Sequence, residues 1–113
     1  MIIFNDSKKT VIANKAKIAD TFLSRMIGLL KHEQLLNNEA LVITRCNSIH
    51  MFFMKFAIDV IFVNNSKKVV GLIKNIKPNQ MSRIYWNASV AIELPVGAIS
   101  ISKSELGDKI IFQ

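Results

Sequence analysis

Residues 58–76 read IDVIFVNNSKKVVGLIKNI, two apolar runs flanking five polar turn residues. Val, Ile and Phe favour a pleated, buried backbone, and a short loop of Asn, Ser and Lys between two such runs predicts an antiparallel hairpin, 58–63 against 69–76. Side chains alternate across a strand, so Ile58, Val60 and Phe62 share one face while Asp59, Ile61 and Val63 share the other. A carboxylate set among apolar neighbours needs a partner if that face is inside. The candidates are His50, Lys55, Arg25, Arg45 or a set of backbone amides.

Working outward, SVAIELP (89–95) predicts a further strand stopped by Pro95 and Gly97, and ALVIT (40–44) another, after a turn at Asn37-Asn38. Residues 98–104 suggest a turn or brief helix, followed by the Gly107-Asp108 turn and a closing strand at 109–112. At the other end, Met1–Phe4 and TVIANKAKI (10–18) predict an opening hairpin. Phe22, Leu23, Met26, Ile27 and Leu30 recur at helical spacing after the candidate cap Asp20, which predicts one short amphipathic helix over 21–30. About seven strands and one helix imply a mainly β fold, an antiparallel barrel or sandwich with the helix laid on a face or an end. At 113 residues, with half of them apolar and no internal repeat, the chain is expected to be one domain, 1–113.

The start of the chain lacks the basic-then-apolar order of a signal peptide, and no apolar run is long enough to span a membrane. The single cysteine cannot form an internal disulfide and suits a reducing compartment, so a cytoplasmic location is expected. The net charge of +7 invites a nucleic-acid reading, with Arg83, Tyr85 and Trp86 as a basic and aromatic loop able to stack on single strands. No recognition motif accompanies that loop, and the opposing reading makes the tryptophan a cap on the hydrophobic core.

Between the strands, CNSIHMFFMKFA (46–57) holds the sole cysteine and one of the two histidines. Cys46, His50 and Met54 are spaced by four, which puts them on one side of either a helix or a strand. A thiol beside an imidazole is a possible activated nucleophile, with Asp59 orienting the histidine. The plainer alternative is a buried cysteine, a histidine satisfied by a carbonyl, and an aspartate acting as a hydrogen-bonded staple. Cys46, His50, Met51 and Met54 are also ligand types that suit copper(I), but methionine commonly fills core gaps and the ligand count falls short of a structural zinc site, so no metal is expected. Glu93 lies on the face opposite Ile92 and Leu94. Beside Pro95 it reads as an edge-strand carboxylate near a loop, able to meet a ligand or a lysine. No phosphate loop, HExxH, GxSxG or dinucleotide fingerprint is present, and no cofactor is expected.

In chain order, TFLSRMIGLL, CNSIHMFFMKFAIDVIFV, VVGL, ELPVG and GDKI resemble the motifs of domain-of-unknown-function family 192 over nearly the whole chain. Cys46, His50, Met54, Lys55, Ile58 and Asp59 match its branch with a Cys-x-x-x-His ahead of a Phe-Met-basic-x-x-Ile-Asp core. Arg25, Gly28 and Leu29 match its helix end, and Glu93, Leu94, Pro95 and Gly97 its late signature. Met51 replaces a usual threonine and Ala57 a common proline, so a hydroxyl role at 51 is lost. The resemblance implies a mostly antiparallel β domain with a packed helix, and no reaction. Three functions remain open. The first is a non-catalytic module binding a small molecule or a protein in a polar pocket of Arg25, His50, Lys55, Asp59, Glu93, Tyr85 and Trp86. The others are a thiol enzyme using Cys46, His50 and Asp59, and a single-strand nucleic-acid binder.

Overall fold

The computed structural model describes residues 1–19, 35–52 and 54–113. The helix expected at 21–30, and Arg25 with it, lies outside the described residues. The described strands are β1 (Ile3–Asn5), β2 (Thr10–Ala13), β3 (Lys15–Ala19), β4 (Glu39–Thr44), β5 (Ile58–Val63), β6 (Val69–Ile76), β7 (Val90–Pro95) and β8 (Ile110–Phe112), with a short helix α1 (Ala98–Ser102) before β8. They form a three-stranded sheet in the order β2-β1-β8 and a five-stranded sheet in the order β3-β4-β7-β5-β6. The result is sandwich-like and mainly β, and not a closed barrel.

The β5–β6 hairpin occupies the two runs predicted for it, and β7 runs antiparallel to both β4 and β5. One pairing departs from the antiparallel expectation: β3 runs parallel to β4. The run 10–18 is also two strands, not one. At Asn14 the chain leaves the small sheet for the large one, where the amides of Asn14 and Lys15 both donate to the Asn38 carbonyl. Parallel neighbours need a long crossover, and residues 20–38 supply its length. The sheets meet again at a second corner. There Lys68 faces Lys109 in an isolated antiparallel bridge, and the Val69 amide donates to the Asp108 carbonyl at 2.9 Å.

The central strands β4, β7 and β5 of the large sheet are buried on both faces. Between the sheets lie Ile61, Val63, Ile92 and Leu94, packed on Ile3, Ile12 and Ile110 of the small sheet and on Ile99 of α1. On the outer face lie Ile58, Val60, Phe62, Leu41, Ile43, Ile76 and Ala91, covered by Ile49, Met51 and Met54. This double burial explains why 58–63 reads as a nearly continuous apolar run.

Candidate functional site

The outer layer of the molecule is built by the stretch that follows β4. Arg45 adopts a left-handed backbone (φ 51°), turning the chain back across the sheet. Residues 47–51 then run beside 80–85 as an irregular antiparallel ladder. The Tyr85 amide donates to the Asn47 carbonyl (2.7 Å), Ser82 to Ile49 (2.8 Å), and Met51 to Gln80 (2.8 Å). The Ser82 hydroxyl accepts from the Ile49 amide at 2.8 Å, and His50 faces Met81. In this extended ladder Ile49 and Met51 point down into the core, with Met54 buried beside them. Both methionines named as possible metal ligands therefore act as core side chains.

Cys46 is half-buried and closes the end of the ladder. Its amide donates to the Ser89 carbonyl (3.1 Å), and its thiol donates to the Ser48 carbonyl (3.1 Å), a hydrogen bond made by the neutral thiol. The His50 ring lies 5.1 Å from the Phe52 ring, tilted by 30°. Lys55 is exposed in the turn that leads to β5.

Asp59 is not part of this layer. It sits opposite Leu94 on the intersheet face of β5, while the 47–54 segment covers the other face. The residue is 1% exposed and its carboxylate accepts three backbone amides: Asn75 at 2.9 Å, Gly97 at 3.1 Å and Ile99 at 3.1 Å. Of the partners weighed from sequence, backbone amides are those found. Two residues of β6 oppose Asp59 at a bulge, where Asn75 takes a left-handed φ of 58°, and Gly97 takes φ 100° at the entry to α1. The aspartate ties that bulge and the start of α1 to the central strand. The orienting role for His50 is thereby corrected, because the sheet itself separates the two side chains.

Glu93 also departs from its sequence reading. β7 is a central strand, with Glu93 between Leu41 and Val60, and the residue is fully buried at 0% exposure. Since Ile92 and Leu94 face the small sheet, Glu93 faces the layer that carries Cys46 and His50. The edge reading failed because Pro95 stands at the very end of the strand, where it interrupts no inner pairing.

The 77–89 segment separates its two aromatic neighbours. Tyr85 is the core cap: its ring stacks on Phe62 (4.3 Å between centroids, 20° between planes) and lies over Gly71, where a β-carbon would clash with the ring edge. The Arg83 guanidinium covers the ring at 4.2 Å, so both faces of Tyr85 are taken. Trp86, read as the alternative cap, is 78% exposed. Val70, Arg83, Tyr85, Trp86 and Asn87 line an open cavity of about 160 Å³. A larger one, about 390 Å³, is lined by residues including Leu36, Phe56, Ala57, Pro95 and Val96. Neither is lined by His50 or Asp59.

Sequence reading passed over a buried polar cluster at the far end of the small sheet. Asn5 Nδ2 donates to Asp108 (2.9 Å) and to the Ser104 hydroxyl (3.1 Å), and Lys8 Nζ reaches both Asp108 oxygens at 2.9 and 3.0 Å. Burial pushes the Asp108 carboxyl up, but hydrogen bonds from Asn5, Lys8 and the Glu105 amide together hold it below the usual carboxylate value. The Gly107-Asp108 position was legible only as a turn; what joins it to Asn5 is the β1–β8 pairing across a hundred residues of chain.

Together these features define a sandwich-like β domain with a two-segment outer layer, in which Asp59 on one sheet face accepts backbone amides and Cys46, His50 and Glu93 lie within or beneath that layer. Residues 2–112 match domain-of-unknown-function family 192, described as Uncharacterized ACR, and the chain belongs to that family. A UPF0127 protein from Thermococcus sibiricus is 42% identical over 115 residues, covering 96% of this chain and 73% of the relative. A UPF0127 protein from Pyrococcus abyssi is 36% identical, covering 96% of this chain and 95% of the relative. A crystal structure of a protein of unknown function from Novosphingobium aromaticivorans superposes with a TM-score of 0.81 at 19% identity, over 98% of this chain and 82% of the other. That likeness speaks to the fold. No helix among the described residues is long and apolar enough to cross a membrane.

Proposed function

We propose that this chain is a non-catalytic binding module that receives its partner on the outer side of the 47–51/80–85 ladder. The observation that carries the reading is a set of large apolar side chains left exposed there. Met81 is 66%, Ile84 42% and Phe52 40% exposed, beside Trp86 at 78%. Single exposed apolar residues are ordinary, whereas several on one rigid, hydrogen-bonded surface mark an interaction site. His50, set between Phe52 and Met81, supplies a polar group able to orient what binds. A cytoplasmic setting fits a chain with one cysteine held as a thiol.

The thiol-enzyme reading loses its third member, because Asp59 lies across the sheet with its oxygens engaged by amides. Binding is tested with a panel of peptides, metabolites and oligonucleotides followed by ligand-observed NMR, comparing the wild-type chain with His50→Ala and Met81→Ser. Met81 is exposed, so Met81→Ser keeps the fold. At least one ligand is expected to weaken in both variants. If every ligand found keeps its affinity in both, the ladder is not the binding surface.

A further inference from the structure

Among the described residues, the exposed charges of the segments that form and border the ladder have a single sign. The segments that form and border it, 45–57 and 72–89, contain Arg45, Lys55, Lys74, Lys77 and Arg83 and not one Asp or Glu. All five cations are exposed. The described ion pairs, Lys8 with Glu105 and Asp108 and Lys9 with Asp6, lie at the other end of the fold. The only acid between Arg45 and Ala91 is Asp59, which is buried on the far side of the sheet.

Chemistry of a second kind sits within this field. Trp86 projects into solvent at 78% exposure and walls the 160 Å³ cavity together with Val70, Arg83, Tyr85 and Asn87. A space of that size suits one ring, since an apolar cavity of about 150 Å³ accommodates benzene. Arg83 is not a loose cation: its guanidinium rests on Tyr85, which is itself clamped on Phe62 and Gly71, so a fixed positive charge borders the cavity. Tyr85 has no open face, which leaves Trp86 as the stacking surface. An exposed flat ring, a fixed cation next to it and further exposed cations on the bordering segments fit a ligand that repeats flat rings along an anionic backbone.

We propose that the ladder surface binds single-stranded nucleic acid, with one base stacked on Trp86 in the cavity and Arg83 on the phosphates. The proposal rests on the binding-module reading and gives it a ligand class. Trp86 is the only tryptophan of the chain, so its fluorescence reports directly from the cavity.

The experiment titrates the wild-type chain with an oligothymidylate of about a dozen nucleotides at low salt, with inorganic polyphosphate as a ring-free polyanion. Expected are quenching of Trp86 by the oligonucleotide and a log-log salt dependence of about −0.7 per phosphate contacted. By anisotropy of a labelled oligonucleotide, Trp86→Ala is expected to weaken binding on the order of tenfold. Arg83→Gln is expected to weaken it and to flatten the salt slope. Polyphosphate binding as tightly as the oligonucleotide, with Trp86→Ala without effect on the oligonucleotide, would show attraction by charge alone and overturn the stacking proposal. No oligonucleotide binding at low salt would overturn it as well. In either case the binding-module reading is decided separately, by whether another ligand of the panel weakens in His50→Ala and Met81→Ser.

Discussion

Replacing Asp59 with asparagine keeps the shape of the side chain and removes its charge. In the wild-type structure one carboxylate oxygen accepts the Asn75 amide and the other accepts those of Gly97 and Ile99. Asparagine has one acceptor oxygen. Its best orientation keeps Gly97 and Ile99 as neutral hydrogen bonds and points a side-chain N–H at the Asn75 amide. Hydrogen bonds to a charged group contribute about 1.5–3 kcal/mol each and neutral ones about half of that. Losing one charged bond and weakening two others therefore costs about 3–6 kcal/mol. For a domain of this length that corresponds to a melting temperature lower by roughly 12–24 °C, at about 4 °C per kcal/mol. Guanidinium denaturation followed by circular dichroism measures the loss, and hydrogen exchange localises it to the amides of Asn75, Gly97 and Ile99. A loss below about 1 kcal/mol with protection of the three amides intact would refute the assignment of Asp59 as a staple.

Gly71→Ala is expected to cost about 1–3 kcal/mol in denaturant unfolding, since Tyr85 is pinned between Phe62 and Arg83 and has no room to retreat from a β-carbon. An unchanged midpoint would mean that Tyr85 is not held there. Tyr85→Ala is expected to cost about 3 kcal/mol, against less than about 0.5 kcal/mol for Trp86→Ala, despite the greater bulk removed in the second case. Comparable losses would contradict the division of labour between the two rings. Asp108 titrates below its ordinary value of 3.8 in the folded state, so its contribution is complete above the unfolded pKa. It is lost as the pH falls through the lower folded one. Asp108→Asn should therefore flatten the stability profile below about pH 4. A wild-type slope retained in that variant would show that the Asn5–Lys8–Asp108 cluster does not govern acid unfolding.

Local pattern made some of this legible and could not have made the rest so. The β5–β6 hairpin was readable because both of its causes, strand-forming runs and a polar turn, are adjacent in sequence. The face assignments of Asp59 and Glu93 followed from alternation alone, and both hold. Which face was covered by what did not follow, because the centrality of β7 is set by pairing with β4 and β5, some fifty and thirty residues distant. The break at Asn14 was hidden for a similar reason. Strand formers continue through it, and the change of sheet is imposed by the Asn38 carbonyl. One available signal was left unused. A glycine inside the strand VVGLIKNI marks a close approach, and Gly71 is where Tyr85 lands. Sequence offered the cluster of Cys46, His50 and Asp59 as a unit; the sheet divides it, and the exposed Met81, Ile84 and Trp86 that frame the proposed surface sit in a stretch without periodicity.

The pairing of β1 with β8 has a consequence for synthesis and for fusion. The Ile2 amide donates to the Gln113 carbonyl at 2.7 Å and the Gln113 amide returns a bond to Ile2 at 2.8 Å. The small sheet therefore cannot form until residue 112 has left the ribosome, and until then the apolar intersheet face of the large sheet waits uncovered for a chaperone or for the rest of the chain. Residues 2 and 113 also stand side by side in the finished fold. A peptide linker joining them would need only a few residues, so the ring could be reopened in a loop such as 64–68, giving a permuted chain whose first strand is β6 and whose last is β5.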